Sequence, residues 1–262
     1  MPIPQYKKSK TPFPRIGGKF YMSKLLLDFF PDDIDYYVEP FVGSGVVYFS
    51  YCDKTYSLPS TVILNDIDSK IYLSLKELKN NPYVNSQIKR FINPGDFELL
   101  KNSQNPLDII TCFKFSWLGK GISYSCNQNT KNKHFSTDFE PFHIKLSNAL
   151  LSNTDYKNVI SEHNHEHAFF YLDPPYEGST KNIYHFPFVK PIDIYDAVKQ
   201  IKGRFILSYN DSPYIRDLFK EYHIYELPKI YKSTGKTTHI IELVITNFVT
   251  GPSAPGGRSP PL

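Results

Sequence analysis

"YYVEPFVGSGVVYF", residues 36–49, runs from aromatic and β-branched residues through Pro40 and two glycines into a second apolar stretch. It reads as a strand, a glycine turn and a helix. The same unit recurs along the chain. "TVILNDID" (61–68) is a short apolar strand ending in acids, and the amphipathic "SKIYLSLKELKNN" (69–81) follows it as a helix. Further on come the strand "HAFFYLD" (167–173), the helix "DIYDAVKQIKG" (193–203), the strand "RFILSYN" (204–210) and the helix "SPYIRDLFKEY" (212–222). "YMSKLLLDFF" (21–30) adds a helix by its apolar spacing. "HIYELPKIYKSTGKTTHIIELVITNF" (223–248) reads as two strands around a Lys/Ser/Thr/Gly loop, hence a hairpin. Alternating strands and helices predict an α/β fold with a mostly parallel sheet and an antiparallel C-terminal hairpin.

Between about Pro82 and Pro141 the periodicity weakens and Asn, Lys, Ser and Gly dominate, which predicts an inserted lobe. The expected organisation is a first catalytic part (1–81), the lobe (82–141), a second catalytic part (142–249) and a tail (250–262). The tail "GPSAPGGRSPPL" (251–262) has a separate composition and is left out of the fold. At 262 residues, 40% hydrophobic and 16% aromatic, the chain has enough apolar material for a core. No apolar run reaches the length of a membrane span, and "MPIPQYKKSKTPFPR" (1–15) lacks an apolar signal core. Cys52, Cys112 and Cys126 are odd in number and widely spaced, which argues for a reduced, intracellular protein rather than a disulfide framework or zinc site.

Open α/β sheets bind ligands at the carboxyl ends of their strands, so the strand ends carry the candidates. Gly43 and Gly45 in "EPFVGSG" (39–45) let the backbone approach a ligand, although tight turns use glycine for steric reasons alone. Of the two acids in "LNDID" (64–68), Asp68 suits a helix N-cap and Asp66 a ribose. "FFYLDPPYEGS" (169–179) places Asp173 after a buried strand, then two prolines that freeze the turn. The Asp173 carboxylate and the Pro174 carbonyl are two fixed acceptors, suited to an amino group with two hydrogens. Tyr176 offers a flat face for a planar ring.

The net charge of +4 is uneven: no acid falls between Asp108 and Asp138, where Lys114, Lys120, Lys131 and Lys133 interleave with Phe115, Trp117 and Tyr124. Phosphate neutralisation with base stacking requires such a mixture, which a solvated loop also produces. His163, His165 and His167 in "EHNHEHAFF" (162–170) alternate at an expected surface turn, and we read them as solvated rather than as metal ligands.

"EPFVGSG" followed later by "DPPY" resembles the Dam-type, S-adenosylmethionine-dependent DNA adenine-N6 methyltransferases. "FPRIGGKFYMSKLL" (13–26) is similar to their G-G-K segment, "LNDID" to their acidic strand end, and "LLSNTDYKNVI" (150–160) to the stretch before the DPPY strand. "FILSYNDSPYIRDLF" (205–219) and "ELVITNF" (242–248) also read like family members. The resemblance covers roughly residues 12–249, outside the variable insertion, and implies a Rossmann-like methyltransferase sheet. It further implies cofactor contacts from Gly17, Gly18, Lys19, Glu39, Phe41, Gly43, Gly45, Asp66, Ile67, Asp155, Tyr156 and Asp173. Arg15 stands among them where many members carry an aromatic residue. It implies catalysis by Asp173, Pro174, Pro175 and Tyr176 on a flipped-out adenine, without a metal. The insertion "FKFSWLGKGISYSCNQNTKNKHF" (113–135) does not match the Dam recognition segment closely, so the usual Dam target sequence is not implied. The expected partner is double-stranded DNA, bound through Lys114, Trp117, Lys120, Tyr124, Lys131 and Lys133 by a monomer or weak dimer with no membrane association. The expected location is the cytoplasm, or the nucleic-acid compartment of a viral host. The same pocket chemistry also fits the amino group of cytosine, or RNA. A methyltransferase fold that binds without catalysis is the third alternative.

Overall fold

The computed structural model describes residues 10–15, 17–20, 22–125, 137–175, 189–233 and 236–251, with backbone only at 229–233 and 236–240. Seven strands form one sheet: β1 (Tyr36–Glu39), β2 (Thr61–Asn65), β3 (Ala149–Ser152), β4 (Ala168–Leu172), β5 (Arg204–Asn210), β6 (His223–Ser233) and β7 (Lys236–Thr246). Their order across the sheet is β3-β2-β1-β4-β5-β7-β6. The first five pair in parallel, while β7 runs antiparallel to both β5 and β6. Pro228 is tolerated because β6 is an edge strand.

Successive strands step outward from β1 in one direction and from β4 in the other. The order therefore reverses between β1 and β4, and the loops leaving these two strands diverge there. Such a switch point opens a crevice at the carboxyl edge of a parallel sheet. "EPFVGSG" leaves β1 and "DPP" leaves β4, so the two motifs meet at it.

The continuous apolar run of β4 follows from burial on both faces. Phe169 and Tyr171 enter one core and Phe170 and Leu172 the other. The first core packs the sheet against α1 (Ser23–Leu26), α2 (Val46–Lys54) and α3 (Ser69–Asn80), which bury Leu26, Val47, Phe49, Ile71, Leu75 and Leu78.

The described residues of the segment expected as an inserted lobe, 82–125 and 137–141, form helices that pack on the rest of the fold. The segment contains α4 (Val84–Gln87), α5 (Pro94–Leu100) and α6 (Pro106–Lys114), and Asn93 and Asn105 cap the latter two through their side chains. Val84, Ile88, Ile109, Ile110 and Phe113 join the first core directly. Ile92, Phe97, Cys112 and Phe115 form a small core of their own. α7 (Glu140–Leu146) returns the chain to β3. On the opposite face, α8 (Tyr156–Glu162), α9 (Pro191–Val198) and α10 (Pro213–Leu218) cover the sheet through Val159, Ile194, Val198 and Ile215. Among the described residues no helix is long and apolar enough to cross a membrane.

Candidate active site

The glycine turn after β1 is built for close approach. Gly43 and Gly45 have φ of 54° and 72°, a region that side chains with a Cβ rarely enter. A Cβ at Gly43 would meet nothing within 4 Å, so the turn faces open space. The Gly43 amide donates to Asp66 Oδ2 at 2.9 Å, and Asp68 N–H donates to Asp66 Oδ1 at 2.9 Å. Burial is the main cause that pushes the Asp66 carboxyl up to about 6, opposed in part by these amides. Asp68 takes the other predicted role and caps α3 by accepting from Lys70 N–H at 2.9 Å.

Three strand ends are tied together by Asn65, a residue to which the motif reading gave no role. It is 1% exposed, and its amide donates to the Pro40 and Thr154 carbonyls, both at 3.0 Å. Its Oδ1 accepts from Ser152 Oγ at 2.9 Å and from Thr154 N–H at 3.0 Å. The loops after β1, β2 and β3 are thereby held in one arrangement. Asp155 lies on the last of these loops, is exposed, and caps α8 through Lys157 N–H at 2.8 Å. Tyr156 is buried beside Phe41, with ring centroids 5.0 Å apart. Ile67 is 44% exposed on the turn after β2. The buried hydroxyls of Ser44 and Tyr156 have no hydrogen-bond partner among the described residues.

Asp173 and Pro174 follow β4, with Pro174 buried and Asp173 partly exposed. Lys19 of the G-G-K segment is 3% exposed, and its ammonium reaches Asp173 Oδ1 at 2.6 Å and Glu242 Oε1 at 2.8 Å. Burial alone would lower the Lys19 pKa, but the charges of Asp173 and Glu242 outweigh it and hold the ammonium well above the ordinary lysine range. Glu39, 2% exposed, accepts from the Tyr37 hydroxyl at 2.7 Å. Burial raises its carboxyl well above the usual range, and the charges of Asp173 and Asp66 add to that rise against the Tyr37 hydrogen bond. Glu39 thus feels the charges of both neighbouring carboxylates.

Arg15, in place of an aromatic residue, forms an ion pair with Asp68, lies 5.1 Å over the Phe113 ring and reaches the Gly119 carbonyl at 3.5 Å. A Cβ at Gly119 would sit 2.1 Å from the Pro14 carbonyl oxygen, so glycine is required where this turn meets the N-terminal segment.

The residues expected at a DNA face divide. Trp117 is 56% exposed on the 3-10 turn Trp117–Gly119, with the Lys120 ammonium 4.6 Å over its ring. Leu118 and Ile122 are exposed beside them. Lys114 does not reach this surface and is a correction to the sequence reading. It is 5% exposed, donates to Thr137 Oγ1 at 2.8 Å and lies 4.8 Å over the Phe139 ring. Burial, then the nearby Arg90 charge, lowers its pKa to about 7. Tyr124 likewise turns inward, stacking on Phe115 with its hydroxyl donating to the Ile92 carbonyl at 3.3 Å. Lys131, Lys133, Cys126 and Tyr176 lie outside the described residues. His163 sits 2.8 Å from the Tyr36 hydroxyl, and the His165 ring packs edge-on against Tyr36 at 4.3 Å.

The family model for D12 class N6 adenine-specific DNA methyltransferases matches residues 16–106 and 122–233. Type II methyltransferase M1.LlaDCHI of Lactococcus lactis subsp. cremoris is 22% identical over 272 residues, covering 88% of this chain and 93% of that protein. Type II methyltransferase M.CviBI of Paramecium bursaria Chlorella virus NC1A is 20% identical over 256 residues, covering 88% and 97%. A methyltransferase from Streptococcus mutans in complex with SAH superposes at a TM-score of 0.37, with 10% identity over 86% of this chain and 94% of that one, too loosely to bear on identity. The match spans the glycine turn, the acidic strand end and the DPP turn, and the chain belongs to the D12 class N6 adenine-specific DNA methyltransferases, which methylate DNA adenine with S-adenosylmethionine as donor.

Proposed function

We propose that the crevice between β1 and β4 holds S-adenosylmethionine on the β1–β2 side and the target adenine on the β4 side. The observation that carries this reading is the convergence of the Gly43 turn, Asp66 and Asp173 at one switch point of the sheet. The donor fits the residues present. It brings a ribose and an adenine ring, and the crevice presents the Asp66 carboxylate beside the Gly43 turn and the neighbouring Phe41 and Tyr156 rings. The buried Ser44 hydroxyl, in the glycine turn itself, has no partner among the described residues. Asp66 accepts from the ribose, Gly43 and Gly45 let the backbone lie against the donor, and Phe41, Ile67 and Tyr156 flank its adenine. Asp155 receives a hydrogen bond from that ring's amino group.

When bound, the donor supplies an electrophilic methyl group. The chain's own task is to make a poor nucleophile competent, because the lone pair of an exocyclic amine is delocalised into the base. Asp173 and the Pro174 carbonyl accept the two amine hydrogens, which favours a pyramidal nitrogen and localises the lone pair. The carboxylate also stabilises the positive charge that develops on nitrogen, and fixed geometry supplies much of the acceleration. Pro175 keeps the turn rigid, and Tyr176 provides the stacking face.

A base inside a duplex cannot reach this crevice, so the nucleotide leaves the stack at a cost of a few kcal/mol. Segment 82–141 then serves as the target-recognition lobe, with Trp117 and Lys120 on its DNA face. The substrate is double-stranded DNA, methylated at a specific site by a monomer or weak dimer. The test is transfer of labelled methyl to unmethylated DNA, with RNA in parallel, followed by nucleoside mass spectrometry. N6-methyladenine in DNA is the expected product; methylcytosine or RNA product alone would overturn the substrate assignment.

A further inference from the structure

We propose that Glu242 is a positioning residue for methyl transfer, acting through Lys19 on Asp173. The proposal rests on the catalytic reading of Asp173 given above. Glu242 belongs to β7 and pairs in register with Asn210, the last residue of β5. The antiparallel direction of β7 thus brings a residue from within a strand to the carboxyl edge of the sheet. Parallel strands supply that edge only from their ends and loops. At 0% exposure Glu242 is one of the most deeply buried carboxylates of the chain, and Lys19 joins it to Asp173 by contacts of 2.8 and 2.6 Å.

Burying a carboxylate is expensive, and a buried ion pair adds little net stability over an apolar substitute. A two-membered Lys19–Asp173 pair would already balance the lysine's charge, yet it would be a poor catalytic device. The ammonium would neutralise the carboxylate that has to receive the amine hydrogen and stabilise its developing positive charge. Glu242 removes that conflict. With both carboxylates ionised the three groups together carry one negative charge, so Lys19 can hold Asp173 by Oδ1 without cancelling its field. Glu242 also holds the ammonium through a second contact, so the Asp173 carboxylate is presented in one orientation.

The test is a double-mutant cycle of Glu242→Gln, Lys19→Met and the combined variant. It is read by single-turnover methyl transfer, with S-adenosylmethionine and DNA affinities and thermal unfolding measured on the same preparations. Glu242→Gln should slow single-turnover transfer by about tenfold or more while both affinities stay within about threefold of wild type. Because Glu242 acts through Lys19, the combined variant should be no slower than Lys19→Met alone. A wild-type rate for Glu242→Gln, a loss confined to affinity or melting temperature, or losses that multiply in the combined variant would each overturn the proposal. Should Glu242→Gln not fold, Glu242→Asp keeps the charge and withdraws it by one methylene, and the same transfer rate should fall by less. An Asp173→Ala control separates the two readings. If that variant still turns over, the assignment of Asp173 has failed; if it is inactive while Glu242→Gln is not, only the role of Glu242 has failed.

Discussion

The carboxyl edge of the sheet and the helical segment 84–125 each bury a lysine, and they treat it in opposite ways. Lys19 is enclosed by two carboxylates, and its ammonium is held above the ordinary lysine range. Lys114 is enclosed by a hydroxyl and an aromatic face with Arg90 nearby, and its pKa falls to about 7. Burial opposes the charge at both sites, so the partners decide the sign. At the sheet edge two carboxylates hold the charge in place. In the segment it belongs to the packing, and Lys120 on Trp117 carries charge at the surface instead.

The largest expected difference comes from neutralising each lysine. Lys19→Met should lower single-turnover methyl transfer by about 100-fold, whereas Lys114→Met should stay within about twofold in both turnover and DNA affinity. Equal losses would erase the contrast between the two sites. Lys114 also predicts a pH effect. Between about 7 and 10.5 the unfolded chain holds this proton and the folded chain does not, so its contribution to stability rises with pH across that window. Denaturant titrations of wild type and Lys114→Met at pH 7 and 9 read it, and parallel curves would show that Lys114 is not depressed.

The network at the sheet edge should be costly to cut. Asn65→Ala leaves four buried or partly buried groups without their partner and should destabilise the fold by about 2–3 kcal/mol in denaturant titrations. A loss below about 0.5 kcal/mol would mean that the three loops hold themselves. A smaller effect is expected at Asp66. With its carboxyl near 6, the ionised form that best accepts from the ribose prevails above that pH and is lost below it. Affinity for S-adenosylmethionine should therefore fall by about tenfold from pH 7 to pH 5, and Asp66→Asn should flatten the profile. A wild-type profile that is already flat would remove Asp66 from the ribose site. The smallest change is expected at the DNA face, where Lys120→Ala should weaken binding a few-fold and reduce the salt slope by about one. An unchanged slope would mean that Lys120 touches no phosphate.

The same contrast explains which features could be read from the residues. A residue just after a parallel strand has few directions available, so Gly43, Asp66 and Asp173 were placed by their motifs and by strand order alone. The assignment of Asp68 to the cap followed from its place next to the helix start, and its hydrogen bond from Lys70 N–H agrees. Lys114 was misread because composition carries no rotational phase. It lies three and four residues after Thr111 and Ile110, both fully buried, and so shares the inward face of α6. The capping Asn105 and Pro106 were the available signals for that helix. Glu242 and Asn65 were hidden differently. Each stands in an apolar strand where a polar residue has no local explanation, and their partners lie far away in sequence. A buried polar residue in a strand requires such a partner, so its presence is legible even when the partner's identity is not.

The central claim is that Asp173 receives the amine of the target base and takes no essential part in holding the donor. Its most direct test is single-turnover methyl transfer to unmethylated DNA by Asp173→Ala, with S-adenosylmethionine binding measured by calorimetry on the same preparation. The account predicts donor affinity within about fivefold of wild type and a transfer rate reduced by about a thousandfold or more. Transfer within about tenfold of wild type by a variant that still binds the donor would contradict it.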